Sequence, residues 1–206
     1  MVKIDLDWAK LPVRFKTQRP SSNLPPKTML VKDKKFKPFI ERTTLENRIS
    51  EVGQRIGQDY ADRFPLFVVV LNGAFMFAAE LLKNVKIPCE VTFVRVSSYS
   101  KTQSTGQLRE ILGLKEPIES RHVIIVEDIV DTGLTMSELL FQLSVQKPES
   151  IQVATLLFKP TALKTPLNVK YVGFEIENKF VIGYGLDYDG EARNLDSVYV
   201  LEEGEI

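Results

Sequence analysis

Cysteine and histidine are almost missing from this chain: Cys89 is the single cysteine and His122 the single histidine. One cysteine excludes an internal disulfide, and this usage is typical of a reducing cytosol. A zinc centre built from several cysteines and histidines is excluded as well. A Cys–His catalytic pair would have to use these two residues, and His122 at the entrance of an apolar strand is typical of a surface or capping role. We therefore expect a cytoplasmic protein.

Excess charge and long apolar runs are also missing. Lysine plus arginine equals aspartate plus glutamate at 27 each, so there is no global basic field to attract nucleic acid or a membrane surface. No apolar run approaches the roughly 18 residues of a membrane span, and the N-terminus has no signal-like apolar stretch. The composition therefore predicts no nucleic-acid partner and no membrane association.

The first 28 residues differ in composition from the rest of the chain. The stretch RPSSNLPPKT at 19–28 is rich in proline, serine and polar residues, which is typical of a linker or arm. We expect residues 1–28 to be a flexible N-terminal extension and residues 29–206 to form one domain, a length ample for one core. Two explanations of the extension stay open: Met29 is the natural start, or the arm packs on a neighbouring subunit through Trp8.

Helical and strand patterns alternate after Met29. An apolar stripe predicts a helix from Thr43, with Thr43 and Glu46 as a capping box. The stripe consists of Leu45, Ile49, Val52, Ile56 and Tyr60. Strands are predicted at 65–73, 89–98, 123–126, 151–159 and 171–176, with helices at 74–85 and 135–145 and a mobile polar loop at 99–107. This order predicts an α/β fold, a mainly parallel twisted sheet flanked by helices, with ligands beyond the carboxyl ends of the strands.

The segment VIIVEDIVDTGLT at 123–135 carries the strongest chemical signal. Three carboxylates, Glu127, Asp128 and Asp131, follow an apolar strand, where they would repel each other unless something binds or neutralises them. The turn after them predicts a phosphate cradle, because hydroxyls, a glycine and free helix N–H groups meet there. It is neither a P-loop nor a dinucleotide fingerprint. A sugar phosphate fits both features, because the carboxylates can accept from its hydroxyls or hold Mg²⁺ and the turn can bind its phosphate. A simple capped helix start leaves Glu127 and Asp128 unexplained.

This segment resembles the ribose-phosphate-binding signature of the type I phosphoribosyltransferases. Further matches between about Phe36 and Val200 place the likeness in the hypoxanthine-guanine subgroup: SSY and STG at 97–106, FK at 158–159, FEI and KFVIGYGLDY at 174–188, and Arg193. The resemblance implies the fold of that family, with a small hood at the base site. It implies purine salvage: 5-phosphoribosyl-1-pyrophosphate and a 6-oxopurine base would give IMP or GMP and pyrophosphate, with Mg²⁺ as cofactor. It also implies a homodimer or homotetramer.

The resemblance implies a role for each matching residue. Asp131 would be the general base, and Glu127 and Asp128 would hold the ribose hydroxyls directly or through Mg²⁺, with Asp187 reaching Mg²⁺ bound to pyrophosphate. The 5′-phosphate would lie on Thr132, Gly133, Leu134 and Thr135, and pyrophosphate on Leu71, Asn72, Gly73 and Arg193. The base would contact Lys159, Phe180 and Val181, and Ser98 and Tyr99 would lie in a closing loop. Leu71–Asn72 is expected to be a cis peptide.

Two departures from the family pattern concern charge near pyrophosphate. Asn72 stands where many relatives have lysine, which leaves backbone binding intact and puts a side-chain charge in doubt. Ser97 stands where some relatives have a basic residue, although Arg95 is retained.

Lys159 offers a chemical argument on base choice that does not depend on the resemblance. An ammonium donates hydrogen bonds and accepts none, so it suits a 6-oxo group and not the 6-amino group of adenine. A solvent-exposed strand end is the ordinary alternative for Lys159, and a core position is the ordinary alternative for Phe180. Several rival functions stay open: another base, including xanthine; a non-catalytic nucleotide-binding regulator; and a plain sugar-phosphate-binding module.

Overall fold

The computed structural model describes residues 28–98 and 108–202. In chain order the elements are β1 (Met29–Val31), β2 (Lys34–Ile40), α1 (Arg42–Asp59), β3 (Leu66–Leu71), α2 (Phe75–Asn84), β4 (Glu90–Ser98), β5 (Leu108–Leu112), β6 (His122–Val130), α3 (Leu134–Ser144), β7 (Ser150–Phe158), a 3-10 turn (Pro160–Ala162), β8 (Tyr171–Glu175), β9 (Val181–Ile182) and β10 (Val198–Leu201). Residues 1–27, including Trp8, and the predicted loop at 99–107, including Tyr99, lie outside the described residues.

The larger sheet has the strand order β5-β4-β3-β6-β7-β8. The strands from β4 to β8 in this order are parallel, and β5 runs antiparallel to β4 at one edge. The predicted mainly parallel sheet is therefore confirmed, whereas β5 was not predicted. The chain places β4 on one side of β3 and places β6, β7 and β8 on the other, so the direction of winding reverses between β3 and β6. Open α/β sheets bind ligands at such a point.

Strand β6 is buried on both faces over its first half. Val123 and Ile125 join the core under α3, and Ile124 and Val126 join the core under α1 and α2. Side chains of a strand alternate between faces, so a strand covered by helices on both sides must be apolar at every position. This explains the continuous apolar run that precedes the carboxylates.

Helix α1 confirms the predicted apolar stripe and corrects its predicted start. Every residue of the stripe is buried. The helix begins at Arg42 after Glu41, and no side chain caps it, so the capping box of Thr43 and Glu46 is wrong. Glu46 instead accepts a hydrogen bond from Arg42 Nε at 2.6 Å, one turn away on the exposed surface. Arg42 competes successfully for the carboxylate that the capping box would have used.

A second, antiparallel sheet of order β1-β2-β10-β9 forms the hood. Its small core contains Phe36, Ile182 and Tyr199. Strand β9 begins directly after Phe180, and the chain returns through Asp187 and Arg193 before β10. The hood therefore presents these side chains toward the end of the larger sheet. In the described part of the chain, no helix is both long and apolar enough for a membrane span.

Candidate active site

The site opens where β6 separates from β3. The pairing of these two strands ends at Val69 with Val126, while β6 continues beside β7 as far as Val130 with Phe158. The predicted strand at 123–126 is therefore too short, because β7 supplies backbone partners that the sequence pattern does not reveal. Glu127 and Asp128 lie inside the strand, at the side that β3 has left. The carboxylates thus line a crevice at the reversal of the sheet.

Glu127 and Asp128 form a half-buried acidic pair. Glu127 Oε1 accepts from the Asp128 backbone N–H at 3.1 Å, and Asp128 Oδ1 accepts from the Ile129 N–H at 2.8 Å. Burial raises the pKa of Glu127 well above its ordinary value, and the neighbouring Asp128 carboxylate raises it further. Such a pair favours a bound cation or hydrogen-bond donors that relieve the repulsion.

Gly73 brings the loop after β3 into direct contact with this pair. A Cβ atom at residue 73 would overlap the Asp128 carboxylate. The Leu71–Asn72 peptide that precedes it is cis, as expected. Asn72 Oδ1 accepts a hydrogen bond from Arg95 Nη2 at 2.9 Å, which joins this loop to the end of β4.

The turn between β6 and α3 forms a small pocket with both polar and apolar lining. Gly133 has φ of 75°, a left-handed conformation that glycine adopts readily, and a Cβ there would lie 2.8 Å from Leu163 Cδ2. The Thr132 carbonyl accepts from the Lys164 N–H at 2.9 Å, which fixes the turn from outside. The first N–H groups of a helix have no acceptor within the helix. The pocket is about 110 Å³ in volume and is lined by Glu127, Ile129, Val130, Asp131, Thr132, Gly133, Thr135 and Met136.

Lys159 lies buried at the end of β7, so the solvent-exposed alternative is wrong. Its side chain is 7% exposed, and its Nζ lies 2.7 Å from Asp131 Oδ2. The Lys159 Nζ is also 3.5 Å from Asn178 Oδ1. A buried ammonium needs such partners, because an unpaired one would be strongly destabilised. Sequence reasoning missed Asn178, and the single signal for it was its place two residues before Phe180.

Phe180 forms one wall of a second pocket. Its side chain is 45% exposed, so it is not a core residue. Its ring packs edge-on against Tyr188, with centroids 5.8 Å apart, and lies tilted against the buried Phe36, with centroids 6.1 Å apart. This pocket is about 250 Å³ in volume and is lined by Asp128, Ile129, Asp131, Lys159, Phe180, Val181, Leu186 and Asp187. An aromatic wall opposite convergent polar groups suits a flat heterocycle.

Asp187 and Arg193 form an ion pair on the hood side of the crevice. Arg193 Nη2 lies 2.6 Å from Asp187 Oδ1, and Arg193 Nη1 donates to the Gly185 carbonyl at 2.7 Å. Gly185 in turn touches the loop after β3, because a Cβ there would overlap the Gly73 carbonyl oxygen. Sequence reasoning missed Gly185, whose role depends on a contact across 112 residues. The hood and the main sheet therefore meet at two glycines.

The predicted metal ligands do not converge on one point. Within residues 28–98 and 108–202, no group of three or more His, Cys, Asp or Glu side chains is arranged to hold a metal ion. Glu127 and Asp128 together still fit Mg²⁺, which binds through one or two carboxylates and completes its shell with water and substrate oxygens. The raised pKa of Glu127 fits a cation at this pair.

Residues 42–189 match the family model described as "Phosphoribosyl transferase domain". The chain belongs to this phosphoribosyltransferase family. The chain is 43% identical over 165 residues to the hypoxanthine-guanine phosphoribosyltransferase of Mycobacterium avium, covering 77% of this chain and 81% of that protein. It is 42% identical over 160 residues to the hypoxanthine-guanine-xanthine phosphoribosyltransferase of Tritrichomonas foetus, covering 77% of this chain and 87% of that protein.

Solved structures of this family have the same fold. The hypoxanthine phosphoribosyl transferase of Trypanosoma cruzi superposes with a TM-score of 0.75 at 38% identity, covering 81% of this chain and 91% of that chain. The predicted fold class and the predicted family are confirmed.

The structure brings most of the predicted site residues of this phosphoribosyltransferase to one crevice. The loop after β3, the end of β6 with its turn, Lys159 and the hood surround it on different sides. Ser98 ends β4 near this edge of the sheet, whereas its predicted partner Tyr99 lies outside the described residues. The individual roles of these residues stay predictions.

Proposed function

We propose that this chain is a purine-salvage enzyme that transfers the 5-phosphoribosyl group from 5-phosphoribosyl-1-pyrophosphate to hypoxanthine or guanine, giving IMP or GMP and pyrophosphate. The observation that carries the proposal is the buried Lys159 ammonium, bonded to Asp131 at 2.7 Å beside the pocket that Phe180 walls. The named relatives support the same reaction.

The donor would bind along β6 and its turn. The hydroxyls of Thr132 and Thr135 and the N–H groups of Gly133 and Leu134 would hold the 5′-phosphate, since a helix start favours an anion. The hydroxyls of the ribose would bond to Glu127 and Asp128, whose oxygens accept. The two groups lie next to each other, as a ribose 5-phosphate requires.

The donor set of the site suits Mg²⁺. Glu127 and Asp128 would hold Mg²⁺ at the ribose, and Asp187 would reach Mg²⁺ bound to pyrophosphate. When bound, Mg²⁺ offsets the negative charge that gathers on the leaving group. Arg193 would bond to the same group with its planar guanidinium. The backbone of the loop from Leu71 to Gly73 would complete the pyrophosphate site.

The base would lie between Phe180 and Lys159. Lys159 would donate to the 6-oxo oxygen, which excludes adenine because its amino group also donates. The Val181 backbone would bond to the base edge. Asp131 would accept the ring proton as the purine nitrogen attacks the anomeric carbon, on the face opposite to the leaving pyrophosphate. The loop that contains Ser98 and Tyr99 would close over the site and exclude water from the reactive sugar.

The proposal extends to organisation and location. Residues 29–206 would be the catalytic domain and residues 1–28 an extension. The enzyme would be cytoplasmic and a homodimer or homotetramer; exposed apolar side chains on β4, Val91 and Phe93, support association. Light scattering of the purified full-length chain would give the oligomer. Mass spectrometry of the natively expressed protein tests whether Met29 is the natural start, because peptides from residues 1–28 would exclude it.

An ultraviolet assay tests the reaction directly. Purified protein would receive 5-phosphoribosyl-1-pyrophosphate with hypoxanthine, guanine, xanthine or adenine, with and without Mg²⁺, and the Asp131→Ala variant would be run beside it. We expect turnover of hypoxanthine or guanine that needs Mg²⁺, with a loss of about 10²-fold or more in the variant and no turnover of adenine. Binding of the donor without turnover of any base would favour the regulator instead.

A further inference from the structure

The wall of the proposed base pocket is a half-exposed ring that other rings hold in place. Phe180 is 45% exposed, and a side chain this open would sample several rotamers without neighbours. Two aromatic rings contact it, Phe36 with centroids 6.1 Å apart and Tyr188 with centroids 5.8 Å apart. Phe36 is fully buried in the hood core, whereas Tyr188 is only half-buried. The orientation of Phe180 therefore depends on a ring that itself needs support.

The turn between β1 and β2 supplies that support. The Tyr188 hydroxyl donates to Asp33 Oδ1 at 2.8 Å, and Lys34 Nζ lies 5.8 Å from the centre of the Tyr188 ring. The hydrogen bond from Tyr188 lowers the pKa of Asp33 below its ordinary value, so the carboxylate is charged at neutral pH. A charged acceptor makes a stronger hydrogen bond than a neutral one. The bond joins the first two strands of the hood to the segment that follows β9.

The same turn also holds the residue after Tyr188. Lys32 Nζ donates to the Asp189 carbonyl at 2.9 Å and forms an ion pair with the Asp189 carboxylate. Lys32 has φ of 53°, a left-handed conformation that lysine rarely adopts. Such a backbone conformation persists where surrounding contacts fix it. Three consecutive residues of the turn therefore contact two consecutive residues beside the base pocket.

We infer that Tyr188 and Asp33 are positioning residues for purine binding: Asp33 holds the Tyr188 hydroxyl, and the Tyr188 ring holds Phe180 in place as the wall of the base pocket. The inference rests on the proposed function, which supplies the base. Within the described part of the chain, neither residue lines the pocket of about 250 Å³, so each acts through Phe180. A base that stacks on a ring already held in place requires less ordering of the protein, and its affinity rises accordingly.

Five single variants separate the parts of this arrangement. Tyr188→Phe removes only the hydroxyl, and Tyr188→Leu removes the ring. Asp33→Ala removes the acceptor, whereas Asp33→Asn keeps one without the charge. Phe180→Leu removes the wall itself. Two double variants, Tyr188→Leu with Phe180→Leu and Tyr188→Phe with Asp33→Ala, test whether the residues act in series.

The matched control is Tyr171→Phe. The Tyr171 hydroxyl donates to Asp59 Oδ2 at 2.7 Å, so the substitution removes the same kind of tyrosine–aspartate hydrogen bond. Tyr171 begins β8, at the edge of the parallel sheet opposite to the crevice. Steady-state kinetics give kcat and the KM of hypoxanthine and of the donor for each protein. Calorimetry gives the Kd of IMP and the Kd of the donor with Mg²⁺, and thermal unfolding checks the fold.

We expect Tyr188→Leu to raise the KM of hypoxanthine and the Kd of IMP by about fivefold, with kcat and the donor Kd little changed. Tyr188→Phe and Asp33→Ala should each raise the same two constants by about two- to threefold. Asp33→Asn should lie closer to the parent chain than Asp33→Ala, because its amide oxygen still accepts. Each double variant should match the more impaired of its two single variants. Tyr171→Phe should lower the unfolding temperature and leave every constant unchanged.

Parental values of the KM of hypoxanthine and the Kd of IMP in Tyr188→Leu would overturn the inference while turnover still supported the proposed function. Equal weakening of base and donor binding would overturn it too, because that result would show a general loss of hood structure. If Tyr188→Leu does not fold, Tyr188→Phe and Asp33→Ala decide by the same criteria. A parent chain that binds IMP without turning over any base, with weaker IMP binding in these variants, would reject the function and retain the inference. A parent chain that neither binds IMP nor turns over a base would reject both.

Discussion

Lys159 and Asp131 form an ion pair beside the proposed base pocket, and the two side chains differ strongly in burial. The lysine side chain is 7% exposed and the aspartate side chain is 44% exposed, with Nζ and Oδ2 2.7 Å apart. The carboxylate therefore stays partly accessible beside the pocket that it helps to line, while the ammonium is enclosed. This arrangement orients the proposed donor to the base without leaving a buried charge unpaired.

Replacement of Lys159 by methionine should weaken base binding selectively. The side chain keeps its bulk and loses its donors, so we expect the KM of hypoxanthine to rise by about tenfold or more while the donor Kd changes little. Steady-state kinetics and calorimetry measure the two. Lys83→Met on α2, whose side chain is 69% exposed, is the control. An unchanged KM of hypoxanthine in Lys159→Met would contradict the proposed role.

Alanine at Gly133 should cost more stability than alanine at Gly190. Both residues have positive φ, 75° and 87°, so each substitution costs about 1 kcal/mol of backbone free energy. A Cβ at 133 also meets Leu163 at 2.8 Å, whereas a Cβ at 190 meets nothing within 4 Å. Denaturant unfolding should show the larger loss for Gly133→Ala, and calorimetry should show weaker donor binding for that variant alone. Equal losses in both variants would mean that the turn adapts without strain.

Two glycines of α1 should respond to alanine with opposite signs. A Cβ at Gly57 would be 3.7 Å from its nearest neighbour, so Gly57→Ala should raise the free energy of unfolding by about 0.5–1 kcal/mol through helix propensity. A Cβ at Gly53 would lie 2.7 Å from Asn84 Cβ and 3.0 Å from the Leu81 carbonyl oxygen, so α1 and α2 would have to separate. Gly53→Ala should therefore lower the free energy of unfolding. Stabilisation by both would show that the helices separate at little cost.

Asp59 should make stability depend on pH at the acidic end. Hydrogen bonds from Lys170 first and Tyr171 next lower the pKa of Asp59 below its ordinary value. A lowered pKa contributes stability above the pKa of the unfolded chain, about 3.9, and the contribution disappears as pH falls through the folded value. Asp59→Asn should cost about 0.5–1 kcal/mol at pH 7, reduced by the one-third exposure of the carboxylate. The difference from the parent chain should shrink as pH falls through the lowered folded pKa of Asp59.

Glu177→Gln is the control for Asp59→Asn. Its ion pair with Lys179 is exposed on the hood, with 79% of the glutamate side chain accessible, so its loss should be too small to measure at pH 7. Denaturant titrations over the acidic range would compare the three proteins. If the difference in free energy of unfolding between Asp59→Asn and the parent chain stayed constant with pH, the electrostatic explanation would be contradicted.

Local patterns were sufficient to predict the main sheet and the acidic motif. The apolar stripe of α1 and the apolar run of β6 are local properties of the sequence, and both are confirmed. The extension of β6 to Val130 was not predictable, because it depends on pairing with β7, whose partner residues lie about 28 positions away. The predicted start of α1 was wrong for a local reason, since Arg42, four residues away, bonds to Glu46 in place of the predicted cap.

Contacts between distant segments account for the rest of the site. Asn178 lies near Lys159, and Gly185 lies against Gly73. No local sequence pattern predicts either contact. The hydrogen bond from Arg95 to Asn72 spans 23 residues and follows from the parallel register of β3 and β4. Knowledge of strand order alone would have brought these two residues together, because the carboxyl ends of neighbouring parallel strands meet.

The hood is assembled from both ends of the described chain, and this has a consequence for biosynthesis. Strand β10 at Val198–Leu201 lies between β2 and β9, so the strand that follows Phe180 has no partner until β10 is present. Domains fold during synthesis as their residues emerge from the ribosome, starting from the N-terminus. The proposed 5′-phosphate and ribose contacts lie on β6 and the turn after it, whereas Phe180, Asp187 and Arg193 all follow β8. Nascent chains should therefore form the ribose-phosphate part of the crevice first, and the base pocket and the hood side of the pyrophosphate site together afterwards.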